Sequence, residues 1–394
     1  MTHRVYVMTF LSVLVLAALA QAQKFGTLYN FTGGTDGGGI YAGVIQDSSG
    51  NLYGTAADGG DLNCPNPNGC GVVFKVNTAG TETVLYTFCS QANCVDGKSP
   101  YTSVVRDKAG SIYGTTGAGG STDYGTVFKI DTSGNETVLH SFAEGSADGC
   151  DPMQGLLMDK AGNLYGTASG CGHYRYYGTI FKVDSAGNFT VLHSFTGGSS
   201  DGASPFYGHL TTDKFGNLYG VTYGGGAYGY GVLYELSKKG TLTVLHSFTG
   251  GTSDGCHPYG SVAQDNGGNL YGTTYQCGSN NYGTIWKVSK KGKETILHNF
   301  AGGASDGCNP YAGVARDSKG NLYGVTYGCG AKDDGVLYEL SASGKLTLLW
   351  TFDASYYGGS APRGEALLTT KGTLFGTAEQ GGTYGWGTVW KYVP

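Results

Sequence analysis

The residues of this 394-residue chain best suited to proton transfer are Arg363, Glu365, Glu379 and His209. Acidic or imidazole groups flanking a scissile bond can serve as general acid and general base, and a guanidinium can stabilise developing negative charge. Glu365 lies two residues after Arg363, so both side chains leave the same face of an extended segment. His209 falls in a copy of that segment one residue longer than the other copies, which predicts a bulge. An enzyme built on these four would be an extracellular polysaccharide lyase or hydrolase. The plainer alternative, which the sequence favours, is a stretch that merely tolerates departures from a repeat.

A second group is aromatic. Tyr223, Tyr275 and Tyr327 share one position, three residues after a recurring glycine, and Tyr41, Tyr101, Phe206, Tyr259 and Tyr311 share another, at or just after a proline site. Exposed rings in such sets could stack on sugars or on a peptide, while packing between repeats is the competing explanation. His140, His193, His246 and His298 occupy a position filled elsewhere by Tyr29, Tyr86 and Trp350, which reads as aromatic packing rather than catalysis. Asp36, Asp96, Asp148, Asp201, Asp254 and Asp306 recur in one loop and could ring a calcium ion, but an Asp-Gly turn explains each alone. No cofactor is therefore expected, calcium being the one ion left open. Residues 224–229 match G-x-G-x-x-G yet join two strands and open no helix, so they fail as a dinucleotide signal.

These positions recur because the chain is a tandem repeat. G-N-L-Y-G-T carries its second glycine at Gly54, Gly114, Gly166, Gly220, Gly272, Gly324 and Gly376. Y-G-T-V-F-K-V follows each copy, and T-V-L-H-S-F ends at Phe31, Phe88, Phe142, Phe195, Phe248, Phe300 and Phe352. Such β-branched and aromatic runs, bounded by Gly, Asp, Asn or Ser, are strand signals. With a weaker strand after the proline, each unit of about 52 residues has four strands: A after the proline, B (N-L-Y-G), C (G-T-V-F) and D (V-L-H-S-F). The chain opens on a D strand and closes on a C strand. Seven complete sets exist only if the first D strand completes the last blade, which removes exposed sheet edges. The expectation is an all-β, seven-bladed β-propeller over residues 23–394, with four antiparallel strands per blade.

The cysteines mark one end of this ring, called here the top. Cys150 and Cys171, Cys256 and Cys277, and Cys308 and Cys329 each place one cysteine in a D–A connection and one in a B–C loop, which emerge together. Cys64 and Cys70 lie in one B–C loop, and Cys89 and Cys94 in one D–A connection, so five local disulfides are expected. Zinc spacing is not matched, and no metal is assigned to the cysteines.

The phrases G-N-L-Y-G-T, Y-G-T-V-F-K-V and V-L-H-S-F, the last leading into an S-D-G loop, resemble the Gloeo/Verruco tandem repeat of the "choice-of-anchor" exported bacterial proteins. The likeness extends over essentially the whole chain after residue 22. It implies export and often a C-terminal anchor, which is not visible after the last C strand, and it brings no catalytic residues.

At the N-terminus, Arg4 precedes an apolar run to Ala20, and Ala20-Gln21-Ala22 offers a cleavage site, so residues 1–22 read as a signal peptide. Glycine numbers 72 and charged residues are 13%, which excludes a helical protein, while 40% hydrophobic content excludes disorder. A net charge of -5 without a basic stripe argues against nucleic acid. The expected protein is a secreted, or cell-envelope, disulfide-stapled monomer with no membrane span in the mature chain. It would bind an extracellular glycan or protein through its top-face loops. A polymer-degrading enzyme and a structural envelope or matrix component are the other readings.

Overall fold

The glycine of each B strand explains why the repeat tolerates nothing else there. Gly54, Gly272 and Gly376 lie opposite Phe74, Trp286 and Trp390 of strand C, and the aromatic side chain covers the glycine. A Cβ at these glycines would meet the ring at 2.7, 2.4 and 2.2 Å. The aromatic residue of strand C can therefore lie flat over its own sheet only where the neighbouring strand has no side chain. The same pair recurs in all seven blades.

The computed structural model describes residues 25–143, 148–173, 177–355 and 358–394; the expected signal peptide lies outside these residues. Seven four-stranded antiparallel sheets form the blades of a β-propeller. In blade 1, A is Ile45–Gln46, B is Leu52–Ala56, C is Val72–Val76 and D is Glu82–Thr87. Blade 7 contains Leu367–Leu368, Leu374–Ala378 and Thr388–Tyr392, and its outer strand is Phe25–Asn30 from the opposite end of the chain. Ring closure by the first D strand, expected from the repeat order, is what the structure shows.

Blades are glued by rings. The phenylalanine ending each D phrase is buried and meets the strand-C aromatic of the next blade edge-on or tilted. Phe31 reaches Phe74 at 4.9 Å, Phe88 reaches Phe128 at 5.0 Å and Phe352 reaches Trp390 at 5.8 Å between centroids. Such pairs add to the burial of apolar area that holds the ring together.

At the lower end, an aspartate closes the A–B turn in blades 1 to 6, and Thr369 takes its place in blade 7. One Asp47 oxygen accepts from the backbone N–H of Ser49 and Asn51, and the other accepts from the Asn51 amide and the Tyr53 hydroxyl. At the top, each D–A connection pairs with the B–C loop of the blade it enters. Gly202–Ala203 pairs with Gly224–Gly225, Gly255–Cys256 with Gln276–Cys277 and Gly307–Cys308 with Gly328–Cys329. Single bridges such as Gly38 to Asp58 and Ser360 to Gln380 do the same in other blades. These ribbons bring the paired cysteines together, with Cα separations of 5.3 to 5.4 Å for the three long-range bridges. All five expected disulfides are present, and no cysteine is free among the described residues. Among those residues no helix is long and apolar enough to cross a membrane.

Candidate functional site

The seven A strands line a central cavity of about 340 Å³. The first residue after the proline position lines it in blades 1, 2, 6 and 7, as Tyr41, Tyr101, Tyr311 and Arg363. The third forms one ring at a single level: Gly43, Ser103, Gly155, His209, Ser261, Gly313 and Glu365, one per blade, all lining the cavity. In five blades this residue is glycine or serine, and bulk and charge enter only at His209 and Glu365.

The extra residue of blade 4 is taken up ahead of strand A rather than as the expected bulge, and the pairing of strand A with strand B keeps a regular register. Tyr207 takes a left-handed backbone (φ 54), an extra residue that brings His209 into the ring. Ser261 Oγ lies 2.8 Å from His209 Nδ1 and also accepts the His209 backbone N–H at 3.1 Å. Glu365 stands 3.8 Å from the same Nδ1, reaching it from blade 7. Serine and carboxylate thus face one ring nitrogen, whereas a nucleophilic relay needs them on opposite nitrogens. The arrangement does not suit activation of Ser261 as a nucleophile.

The four charged candidates consequently form two pairs. Arg363 and Glu379 make an ion pair at the mouth, where Glu379 is buried. Burial opposes the charge of Arg363, but Glu379 and the Tyr327 hydroxyl more than compensate and raise its pKa. Its guanidinium lies 4.7 Å from the ring centres of Tyr311 and Tyr327 and 5.3 Å from that of Tyr41. Asp58 of blade 1 shares this environment; burial first, then Glu379, pushes its carboxyl up to about 6.

The aromatic candidates meet one another. Tyr259 contacts Tyr223, Tyr275 and Tyr311 at 5.1, 5.5 and 5.2 Å, and Tyr311 contacts Tyr275 and Tyr327 at 4.8 and 5.2 Å. Phe206 joins at Tyr223 and Tyr259, while Tyr41 and Tyr101 form a separate pair across blades 1 and 2. These rings are half-buried: neither an open arc nor sealed core. Burial raises the Tyr41, Tyr259 and Tyr311 phenols well above their ordinary value, so they act as neutral hydroxyls. The sequence reading missed three members of the site. Tyr207 is the extra residue itself, Ser261 is the His209 partner, and His257 stacks on Tyr223 at 4.1 Å. The extra residue in blade 4 was the signal for the first two.

The six loop aspartates are held separately, each in its own seam between blades. Tyr29 and Tyr86 donate their hydroxyls to Asp36 and Asp96 at 2.9 and 2.8 Å. His140, His193, His246 and His298 place Nε2 against Asp148, Asp201, Asp254 and Asp306 at 2.9 to 3.1 Å. The same six rings pack edge-on against the phenylalanine two residues later.

The Gloeobacter/Verrucomicrobia repeat profile matches residues 15–176 and 152–390. The chain belongs to that repeat family. No protein of curated function matches it in sequence. Among solved structures it is similar to the extracellular domain of a protein described as a hybrid two-component system from B. thetaiotaomicron, at 14% identity and a TM-score of 0.57. That match covers 94% of this chain but 41% of the other. A surface component of the type-IX secretion system of Porphyromonas gingivalis matches at 14% identity and a TM-score of 0.52, over 90% of this chain and 46% of that one. Puromycin hydrolase matches at 14% and 0.52, over 86% of this chain and 50% of its own. The repeat-family chain therefore spans about half or less of these larger relatives, and the likeness is one of fold.

Proposed function

We propose that this repeat-family propeller is an extracellular binding protein whose top face holds a glycan. The observation that carries this reading is the continuous run of half-buried tyrosines over blades 4 to 6, beside a central cavity that Tyr207, Tyr311 and Arg363 help to line. Flat rings beside hydroxyls and a guanidinium suit sugars, which present apolar C–H faces and polar edges together. Five disulfides support an extracellular setting, because such bridges persist in oxidising compartments. A glycan array probed with the purified protein tests the proposal. Binding that is lost in Tyr259→Ala/Tyr311→Ala, with the fold retained, supports it; no glycan bound, or binding unchanged in the double variant, overturns it.

A second reading, a polymer-cleaving enzyme, draws on the His209 and Glu365 pair inside the cavity. Release of reducing ends or unsaturated products from bacterial polysaccharides, abolished by His209→Ala and by Glu365→Gln, would move the assignment there.

A further inference from the structure

Six of the seven seams between blades bring together the same trio of positions, the strand-D aromatic, the loop aspartate and the first residue of the next blade's strand D, while the seam between blades 6 and 7 stacks Trp350 on Phe25 instead. That first residue is Glu82, Glu136, Phe189, Leu242, Glu294 or Leu346. Where it is Glu82 or Glu136, the aromatic partner is a tyrosine; where it is Phe189, Leu242 or Leu346, the partner is a histidine. Among the described residues, the seam between blades 4 and 5 alone joins a histidine, an aspartate and a glutamate: His246, Asp254 and Glu294.

We propose that His246, Asp254 and Glu294 bind a zinc ion at this seam. Nε2 of His246 lies 3.1 Å from Asp254 Oδ2 and 3.6 Å from Glu294 Oε2, and the three atoms all lie within 4.8 Å of one another. Ligands on a tetrahedral zinc with bonds of ~2.0–2.1 Å stand roughly 3.3 Å apart, so the two measured separations bracket that edge. The donor set of one imidazole and two carboxylates suits zinc, whereas calcium favours six to eight oxygens.

The ligands are also held in place from behind. The backbone N–H and hydroxyl of Thr249 donate to Asp254 Oδ2, and the Gly255 N–H donates to Oδ1. His246 packs edge-on against Phe248 at 4.8 Å, which sets its ring plane. Such outer contacts orient metal ligands before the ion arrives. Glu294 Oε1 is buried without a hydrogen-bond partner.

The other seams supply substitutions already compatible with the fold. His246→Tyr reproduces the Tyr86, Asp96 and Glu136 arrangement, and Glu294→Leu reproduces His193, Asp201 and Leu242. The test is calorimetric titration and thermal denaturation of chelator-treated full chain with zinc chloride. Wild type should bind one zinc per chain with a rise in melting temperature, and each variant should bind roughly a hundredfold more weakly or worse. His298→Tyr, at another seam, should bind zinc as wild type does. Absence of stoichiometric binding, undiminished binding in His246→Tyr, or a thermal response to calcium chloride but not to zinc chloride would each overturn the assignment.

Discussion

The seams between blades and the mouth of the cavity are built from the same repeat but follow opposite rules. At the seams, a B-strand glycine, a C-strand aromatic ring and a D-strand phenylalanine recur in every blade, down to Phe31 against Phe74 where the two ends of the chain meet. At the mouth, tyrosines occupy blades 4 to 6, an Arg363–Glu379 pair occupies blade 7, and small residues occupy the same loop position in blades 1 to 3. Close packing accounts for the difference. A seam is filled on every side, so one added methylene is felt, whereas side chains around a solvent-filled cavity can change size without displacing a neighbour. Fold is therefore written in what repeats, and the proposed binding face in what does not.

The sharpest way to break this comparison is at the closing seam. Deleting residues 25–31 removes Phe25, which stacks on Trp350 at 4.2 Å, and leaves strand C of blade 7 as an open edge. The truncated chain should aggregate or melt about 10 °C lower or more, read by calorimetry. A soluble product with unchanged melting would show that ring closure contributes little. A smaller perturbation is Gly272→Ala, whose Cβ would sit 2.4 Å from Trp286. It should cost about 1–3 kcal/mol in chemical denaturation. Gly26→Ala, in open space within the closing strand, should be close to neutral.

The seams were legible in the sequence because every blade repeats them. Strand order, closure by Phe25–Asn30 and all five disulfides follow from repeated phrases and fixed offsets. The division of Arg363, Glu365, Glu379 and His209 into two pairs did not follow. Repeat position says which strand a residue is on, but not whether it reaches its neighbour or crosses the axis. Glu365 and His209 come from blades 7 and 4 and meet only because the cavity is narrow at that level. The half-buried state of Tyr223, Tyr275 and Tyr327 was hidden for a related reason, since loop curvature sets how far each ring tilts onto Tyr259 or Tyr311.

The seams also make a prediction about pH. Burial first, and the adjacent aspartate second, push Glu82 and Glu136 up to about 7 and Glu294 up to about 8. The folded chain thus holds these protons more tightly than the unfolded chain, whose glutamates titrate near ~4.3. Their contribution is fully present below that value and is lost as pH rises through 7 to 8. In chelator, the melting temperature should fall between about pH 5 and pH 8.5, and Glu82→Gln/Glu136→Gln should flatten the slope. An equally steep slope in the double variant would remove these carboxyls as its source.

The smallest effect on stability is expected where the effect on binding is largest. Tyr327 leans on one inner-strand ring, Tyr311, while Tyr223 and Tyr275 each lean on two, and all three keep part of their surface in water. Their combined replacement by alanine removes ring contacts worth about 0.5–1.5 kcal/mol each, partly relaxed because the mouth is open. The melting temperature should drop by only a few degrees, while glycan retention on an array or affinity column should vanish. Each ring offers apolar area at little cost in side-chain entropy, and adjacent blades supply contacts that act together. Losing all three therefore removes more affinity than any one would suggest. If the triple variant unfolds as readily as Gly272→Ala, the mouth obeys the packing rule of the seams, and the division between fold and binding regions must be redrawn further out, at the exposed rings of Tyr177, Tyr230 and Tyr282.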